Sequence, residues 1–259
     1  MAEDTVGLLH PGEMGAAIGA VLRGQGRRVV WTSEGRSAET RERASAAGLE
    51  DVGSTDAVAG ESDVIFSVCP PHAAREVVGA VHGFAGVYVD ANAVSPATAR
   101  ELGDLVGGTF VDGGIVGPPP REAGTTRLYL SGPDAERVAR LFAGSVVDAR
   151  IVSAEIGAAS AVKMAYAAWT KGSGALLLAI RELARAEGVE AELLAEWELS
   201  LPALFERSQR AERSAETKGW RWVGEMEEIA STFRAKGLPG GFHEAAAQVY
   251  RENQATRRR

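Results

Sequence analysis

The alternation of short apolar runs with helical patterns across the first 150 or so residues constrains this chain more than any other feature. Thr5 to Leu9, Arg28 to Thr32, Asp63 to Val68, Val87 to Ala91, Thr109 to Asp112, Arg127 to Ser131 and Val146 to Ile151 read as strands. Several lack polar alternation, as strands covered on both faces do. Between them Glu13 to Gly24, Ser37 to Ala47, Pro71 to Val81, Ser95 to Leu105 and Pro133 to Leu141 read as helices, with Pro or Ser at starts and Gly24, Gly48 and Gly144 at stops. Such alternation predicts an α/β architecture with a doubly wound, mostly parallel sheet over residues 1–152. After Val152 the strand signals stop, and residues 153–259 predict a smaller all-α domain. Glu155 to Glu187 reads as one long helix in which Gly172 and Gly174 mark a bend or close helix packing. Further helices are expected at Ala191 to Leu199, Ala203 to Arg213, Trp222 to Ala235 and Gly241 to Asn253, punctuated by Pro202, Gly219 and the Leu238-Pro239-Gly240-Gly241 turn.

Composition narrows the class. With 259 residues and 45% hydrophobic content the chain has enough apolar mass for one large core or two modest ones. The longest aliphatic run, Ala175 to Ile180, falls far short of the roughly 20 residues that span a bilayer, and no basic segment precedes an apolar stretch, so a soluble, cytoplasmic protein without a membrane partner is expected. Cys69 is the single cysteine, which excludes an internal disulfide or a CxxC metal site. The histidines at 10, 72, 82 and 243 have no HxH or HxxxH spacing, and no metal is expected. A net charge of −7 argues against nucleic acid, and the basic Arg257-Arg258-Arg259 end reads as a frayed, solvated tail.

The segment Val6-Gly7-Leu8-Leu9-His10-Pro11-Gly12-Glu13-Met14-Gly15 resembles a GxGxxG dinucleotide fingerprint with histidine at the first glycine. It follows the first strand and opens a helix, where backbone N–H groups and the helix dipole favour an anion. Gly12 stands where a side chain would block phosphate approach, and Gly15 where helix and strand pack tightly. Pro11 biases His10 toward extended geometry and supplies part of the shape that glycine usually allows. Intact binding is therefore expected, with His10, Pro11, Gly12, Glu13 and Met14 at the pyrophosphate or nicotinamide ribose.

After the second strand no acid stands directly at the strand end. Ser33, Arg36 and Ser37 would surround a 2′-phosphate, which favours NADP(H) over NAD(H). The alternative takes Glu34 as the ribose acid and Arg36 as solvated.

The Gly7 to Gly15 segment, with Met14 before Gly15, resembles the opening of the β-hydroxyacid dehydrogenases, which include 3-hydroxyisobutyrate and 6-phosphogluconate dehydrogenases. Four later segments fall in matching order. Ser67-Val68-Cys69-Pro70-Pro71 resembles the loop along the cofactor. Asp90-Ala91-Asn92-Ala93-Val94-Ser95-Pro96 resembles the segment near the nicotinamide, and Asp112-Gly113-Gly114-Ile115-Val116-Gly117-Pro118 the substrate-binding stretch. Gly157 to Lys163 resembles G-x-x-x-x-x-K, which carries the catalytic lysine. The helical half is similar to a branch named for phosphogluconate dehydrogenase by homology, through Lys163 to Gly172. The resemblance implies a Rossmann-type fold, cofactor contacts from Val68, Cys69, Pro70 and Asn92, substrate contacts from Ile115, Val116 and Gly117, substrate in a cleft between the domains, and a homodimer formed through the helical domain.

A lysine among Ala, Val, Met and Tyr on an apolar helix would be partly desolvated, in keeping with a proton-transfer role for Lys163; the alternative is a stem packed on an apolar face with its head in water. Lys171, eight residues on, reads as structural. Two departures matter: a serine and an asparagine that bind substrate polar groups in the family are Val116 and Ala167 here, so an ordinary 3-hydroxy acid fits poorly. Tyr166, Trp169, Trp220 and Trp222 are expected to pack in the core, with substrate contact as the alternative. His243, beside the glycine turn, reads as a surface histidine or a substrate contact, and Cys69 as a small buried hydrophobe. The function expected is an NAD(P)-dependent oxidoreductase acting on a small-molecule C–O substrate. Imine reduction and a non-catalytic NADP-sensing role are the alternatives; retention of Lys163 counts against the first, and the altered His10, Val116 and Ala167 suggest the second.

Overall fold

The computed structural model describes residues 4–256, with side chains to residue 253, so the Arg257-Arg258-Arg259 tail lies outside the described residues. It consists of two compact units, one ending at Lys163 and the other beginning at Met164.

The first unit starts with β1 (Val6–Leu8), α1 (Glu13–Gly24), β2 (Val29–Trp31), α2 (Ala38–Ala46), β3 (Glu50–Asp51) and α3 (Thr55–Glu61). It continues through β4 (Val64–Ser67), a 3-10 turn at Pro71–Ala73, α4 (Ala74–Gly79), β5 (Val87–Asp90) and α5 (Pro96–Leu105), then β6 (Thr109–Val116), β7 (Thr126–Ser131), α6 (Ala135–Arg140) and β8 (Val147–Ser153). The eight strands form one sheet in the order β3-β2-β1-β4-β5-β6-β7-β8. Strands β1 to β6 run parallel, β7 is antiparallel to β6, and β8 is parallel to β7. From β1 the chain builds outward first to one side and then, with β4, to the other. The carboxyl ends of β1 and β4 therefore flank the crevice where doubly wound sheets bind ligands.

Burial on both faces explains the unbroken apolar strands. Val6, Leu8, Val64 and Phe66 enter one core with Leu22 and Phe142, while Val30, Ile65 and Tyr88 enter the other with Leu102 and Phe110. The edge strand β3 and helix α3 went unanticipated, because Glu50 and Asp51 are both exposed and carry no apolar signal. Strand β6 continues four residues beyond the expected Asp112, through Gly113-Gly114 to Val116.

The second unit is all-helical. It takes the remainder of α7 (Ala158–Ala186) and adds α8 (Glu190–Ser200), α9 (Pro202–Arg234) and α10 (Gly241–Thr256). Helix α7 runs unbroken through Gly172 and Gly174; Gly174 serves close packing, since a Cβ there would lie 3.0 Å from the Tyr250 hydroxyl, whereas one on Gly172 would make ordinary contact with the His243 ring at 3.5 Å. The two helices expected at Ala203 to Arg213 and Trp222 to Ala235 are one, α9. Gly219 does not interrupt it, since a single glycine costs a helix interior only about 1 kcal/mol and this one is buried in packing.

A charge network ties α7, α8 and α9. Arg181 is buried, and its guanidinium donates to Glu190 at 2.8 Å and Glu212 at 2.6 Å. The more exposed Arg185 reaches the other oxygens of the same carboxylates, both at 2.9 Å. Removing the buried member should cost far more than removing the solvated one. Arg181→Met is expected to destabilise the helical unit by about 3 kcal/mol, and Arg185→Met by less than about 1 kcal/mol. Urea unfolding followed by circular dichroism measures both; equal losses would contradict this ranking.

Candidate functional site

The turn from β1 into α1 is shaped by its backbone. Gly12 donates its N–H to the His10 carbonyl at 2.8 Å and caps α1 in extended geometry with no side-chain acceptor, so no side chain caps the first turn. A Cβ built on Gly12 meets nothing within 4 Å, so the room above the helix end, rather than protein packing, is what its glycine preserves. Gly15 is different: a Cβ there would collide with the His10 carbonyl oxygen, so α1 lies directly against the turn. These are the two roles that phosphate approach and helix packing demand.

His10 packs its ring at this turn with Nδ1 buried and without a hydrogen-bond partner. Burial, and then the neighbouring Arg36 guanidinium, push its pKa down to about 4. Arg36, from the segment after β2, likewise has Nε buried without a partner. Among its neighbours, Ser33 gives its N–H to Asp51 at 3.1 Å, and Ser37 caps α2 by accepting from the Thr40 N–H at 3.2 Å. Glu34 is exposed. Of the three residues expected around a 2′-phosphate, Arg36 is the one whose side chain retains an unpaired buried donor. Asp51, which the sequence reading missed, holds the Ser33 segment through a carboxylate whose pKa is lowered by hydrogen bonds from Ser33 and Gly53.

Across the crevice, the loop Val68-Cys69-Pro70 is fixed by Asn92. The Asn92 side-chain oxygen accepts from the Cys69 N–H at 2.5 Å, and its amide nitrogen donates to Ser67 at 3.1 Å and Asp90 at 2.7 Å. Asn92 is buried and joins the loops after β4 and β5. Burial pushes the Cys69 thiol up to about 12, which keeps it protonated and unreactive near neutral pH.

Lys163 is positioned by an anchor at the start of α7. The buried Asp112 carboxylate on β6 accepts from Gly157 N–H at 3.0 Å, Ser160 N–H at 2.9 Å, the Ser160 hydroxyl at 2.5 Å and the Ser131 hydroxyl at 2.9 Å. Gly114 lets helix and strand approach, since a Cβ there would lie 2.8 Å from the Ala159 carbonyl. One turn along, Lys163 Nζ donates to the Ile115 carbonyl at 2.8 Å. Ile115 and Val116 are buried, and Gly117 follows at φ +124°, where a side chain would also collide with the Thr125 carbonyl oxygen. Because β1 to β6 are parallel, this end of β6 lies on the same sheet edge as the loops after β1 and β4.

The remaining candidates lie in the helical unit. Ala167 is buried one turn beyond Lys163. His243 is no surface histidine: it is buried against the Phe233 ring at 4.6 Å between centroids, with Nδ1 unpartnered, and burial lowers its pKa. Its ring lies against Gly172 of α7. Tyr166, Trp169 and Trp220 are exposed rather than core residues; helical spacing does not say which face is covered. Trp222 does pack, edge-on to Tyr250 at 5.1 Å. Lys171 is ion-paired with Glu225. Among the described residues no helix is long and apolar enough to cross a membrane.

Comparison with known proteins places this geometry in a wider group. A family model described as a domain of unknown function, DUF1932, matches residues 184–253. A conserved protein of unknown function, whose structure revealed similarity with 3-hydroxyacid dehydrogenases, is 28% identical, with 98% of each chain covered and a TM-score of 0.71. The Mycobacterium tuberculosis 3-hydroxyisobutyrate dehydrogenase with L-serine also superposes with a TM-score of 0.71, at 20% identity over 98% of this chain and 94% of that one. An uncharacterized 28.5 kDa protein of Methanothermus fervidus is 28% identical over 62% of this chain, and the match spans 63% of that protein's length. The fold, a Rossmann-type sheet followed by an all-helical part, is that of the β-hydroxyacid dehydrogenase-like superfamily.

The anchor at Asp112 is open to a direct check. Asp112→Ala removes the acceptor of two N–H groups and two hydroxyls and should destabilise the first unit by about 3 kcal/mol, against about 1 kcal/mol for Ser160→Ala. Denaturant unfolding measures both, and an Asp112→Ala protein as stable as the native one would refute the anchoring role.

Proposed function

We propose that this chain is an oxidoreductase that prefers NADP(H) to NAD(H) and transfers hydride between the nicotinamide and a C–O bond, with Lys163 as general acid/base. The observation that carries the reading is the Lys163 ammonium, held at 2.8 Å from the Ile115 carbonyl at the carboxyl edge of the sheet. The bound nicotinamide would supply or accept the hydride. Lys163 Nζ would give a proton to the carbonyl oxygen of the substrate, or take one from its hydroxyl in the reverse direction.

The chain's own residues fit the cofactor. The uncapped first turn of α1, the room above Gly12 and the unpaired His10 Nδ1 suit the pyrophosphate, with Pro11, Glu13 and Met14 in the same turn. The unpaired Arg36 Nε supports a 2′-phosphate contact beside Ser33 and Ser37. Val68, Cys69 and Pro70 would lie along the dinucleotide, with Asn92 holding their loop. On the substrate side, Ile115 and Val116 end β6 and Gly117 follows it; we assign substrate contacts to these three and, in the helical unit, to Ala167 and His243. Buried Val116 and Ala167 favour a substrate without a carboxylate at that point.

We further propose that residues 153–259 form the dimerisation domain. Tyr166, Trp169, Leu176 and Leu183 are exposed and fall within about 100° of one another around α7. An apolar stripe of this kind suits a second copy better than water. A cytoplasmic location accords with the lone, unpaired cysteine.

Turnover should be sought with NADPH and a panel of ketones, keto acids and imines. Lys163→Ala is expected to lower kcat by about 10²–10⁴-fold on the best ketone with KM little changed, and Arg36→Ala to weaken NADPH binding far more than NADH binding. Undiminished turnover by Lys163→Ala would remove the proton-transfer assignment, and unaltered NADPH affinity the phosphate contact. Sedimentation of the native protein and of Trp169→Glu with Leu176→Glu tests the stripe: the native chain should be a dimer and the variant a monomer.

A further inference from the structure

Two buried nitrogens without a hydrogen-bond partner, His10 Nδ1 and Arg36 Nε, belong to residues that repel each other's charge at the dinucleotide crevice. An orphaned buried polar atom is costly, at about 1–3 kcal/mol, and two in one place need a reason. The His10 backbone is fixed in the turn: its carbonyl is held by the Gly12 N–H at 2.8 Å and lies hard against Gly15.

The charged and titratable groups around the ring offer it no counter-ion. From the segment after β2 comes Arg36, a cation. From α2 comes Arg43, which reaches the Pro11 carbonyl at 3.3 Å and is already paired with Glu39. From α1 comes Glu13, exposed at the first helical position, and from the loop after β4 comes Cys69, held as a neutral thiol. Asp90, at the end of β5, is engaged by Asn92.

We propose that His10 takes up a proton as the phosphates of the dinucleotide arrive, becoming a second cation beside Arg36, so that cofactor affinity rises as the pH falls. This rests on the dinucleotide reading above. Without an anion, burial and Arg36 both disfavour the imidazolium, and the ring stays neutral down to about pH 4. A pyrophosphate or 2′-phosphate oxygen outweighs both effects. It accepts a hydrogen bond from an imidazolium N–H and sets negative charge against the two cations. Glycine at this position, as in the usual fingerprint, has no proton to take up. The sign follows from linkage: a pKa higher in the complex than in the free protein means proton uptake on binding. Affinity is gained as pH falls through the complex's value, and the gain ends at the free protein's value of about 4.

The test uses the full native chain with NADH and NADPH. NADH carries no 2′-phosphate, so any proton taken up with it belongs to the protein. Calorimetry at pH 6.5 in two buffers of different ionisation enthalpy is expected to give uptake of about half a proton or more per NADH, lost in His10→Asn. Over pH 5.5 to 8 the native NADH Kd should weaken by about tenfold, with a flatter profile in the variant. Should His10→Asn fail to fold, NMR of the native protein decides. The His10 ring proton should titrate near 4 alone and above about 6.5, the ordinary value, when saturated with NADH. An unmoved His10 midpoint, or proton uptake that persists in His10→Asn, overturns the inference and leaves dinucleotide binding intact. Failure of both dinucleotides to bind at any pH overturns the cofactor reading together with this one.

Discussion

The Asp112 carboxylate determines where α7 starts and, through that, where Lys163 stands. A helix begins with unpaired N–H groups and a positive dipole end, and both call for an anionic acceptor. Here the acceptor comes from a neighbouring strand rather than from the helix's own N-cap residue, and it takes the Gly157 and Ser160 N–H groups together with the Ser160 hydroxyl. From Asp112 to Ile115 is three residues of strand, about 10 Å; from Ser160 to Lys163 is three residues of helix, about 4.5 Å. The lysine's four-carbon arm closes the difference. Alternation along β6 puts Asp112 and Gly114 on one face, and both meet α7: the first by hydrogen bonding, the second by having no side chain. Strand, helix and lysine are thus registered to one another by one charge and one missing side chain.

The crevice at the carboxyl ends of β1 and β4 is built differently, around a backbone frame. Gly12 keeps space open and Gly15 closes it, and the His10 carbonyl links them by accepting from one and abutting the other. Around this frame the structure spends its polar side chains on holding loops. Asn92 joins the loops after β4 and β5, Asp51 holds Ser33, and Ser37 caps α2. Among the buried nitrogens without a partner are His10 Nδ1 and Arg36 Nε, beside this frame.

The parallel sheet was legible because strands buried on both faces carry uninterrupted apolar runs, and β1, β4 and β5 are such strands. Edge strand β3 has only Glu50 and Asp51 to offer and left no trace. In the helical unit, spacing identified helices but neither their continuity nor their covered faces. Gly219 looked like a stop and is packed inside α9, while Tyr166, Trp169 and Trp220 looked like core and are exposed. At the candidate site, Lys163, His10 and Gly12 could be singled out because each sits in a local motif. The role of Asp112 could not be, since its partners Gly157 and Ser160 come 45 and 48 residues later and only folding brings them together.

The apolar residues near Lys163 bear on selectivity as well as on substrate type. Val116 lies on the same face of β6 as Asp112 and Gly114, and Ala167 lies one turn beyond Lys163 on α7; both are buried. Serine and asparagine in such places would carry hydrogen-bonding groups that, without a substrate, stay unpaired at about 1–3 kcal/mol each. That cost is also what lets a polar site reject a ligand lacking the matching group, by far more than an apolar pocket rejects a small change in shape. Under the proposed function, the absence of both groups would leave an empty site more stable and less able to discriminate by hydrogen bonding. Recognition of a substrate would then come from the fit of apolar surface and from the proton that Lys163 would exchange.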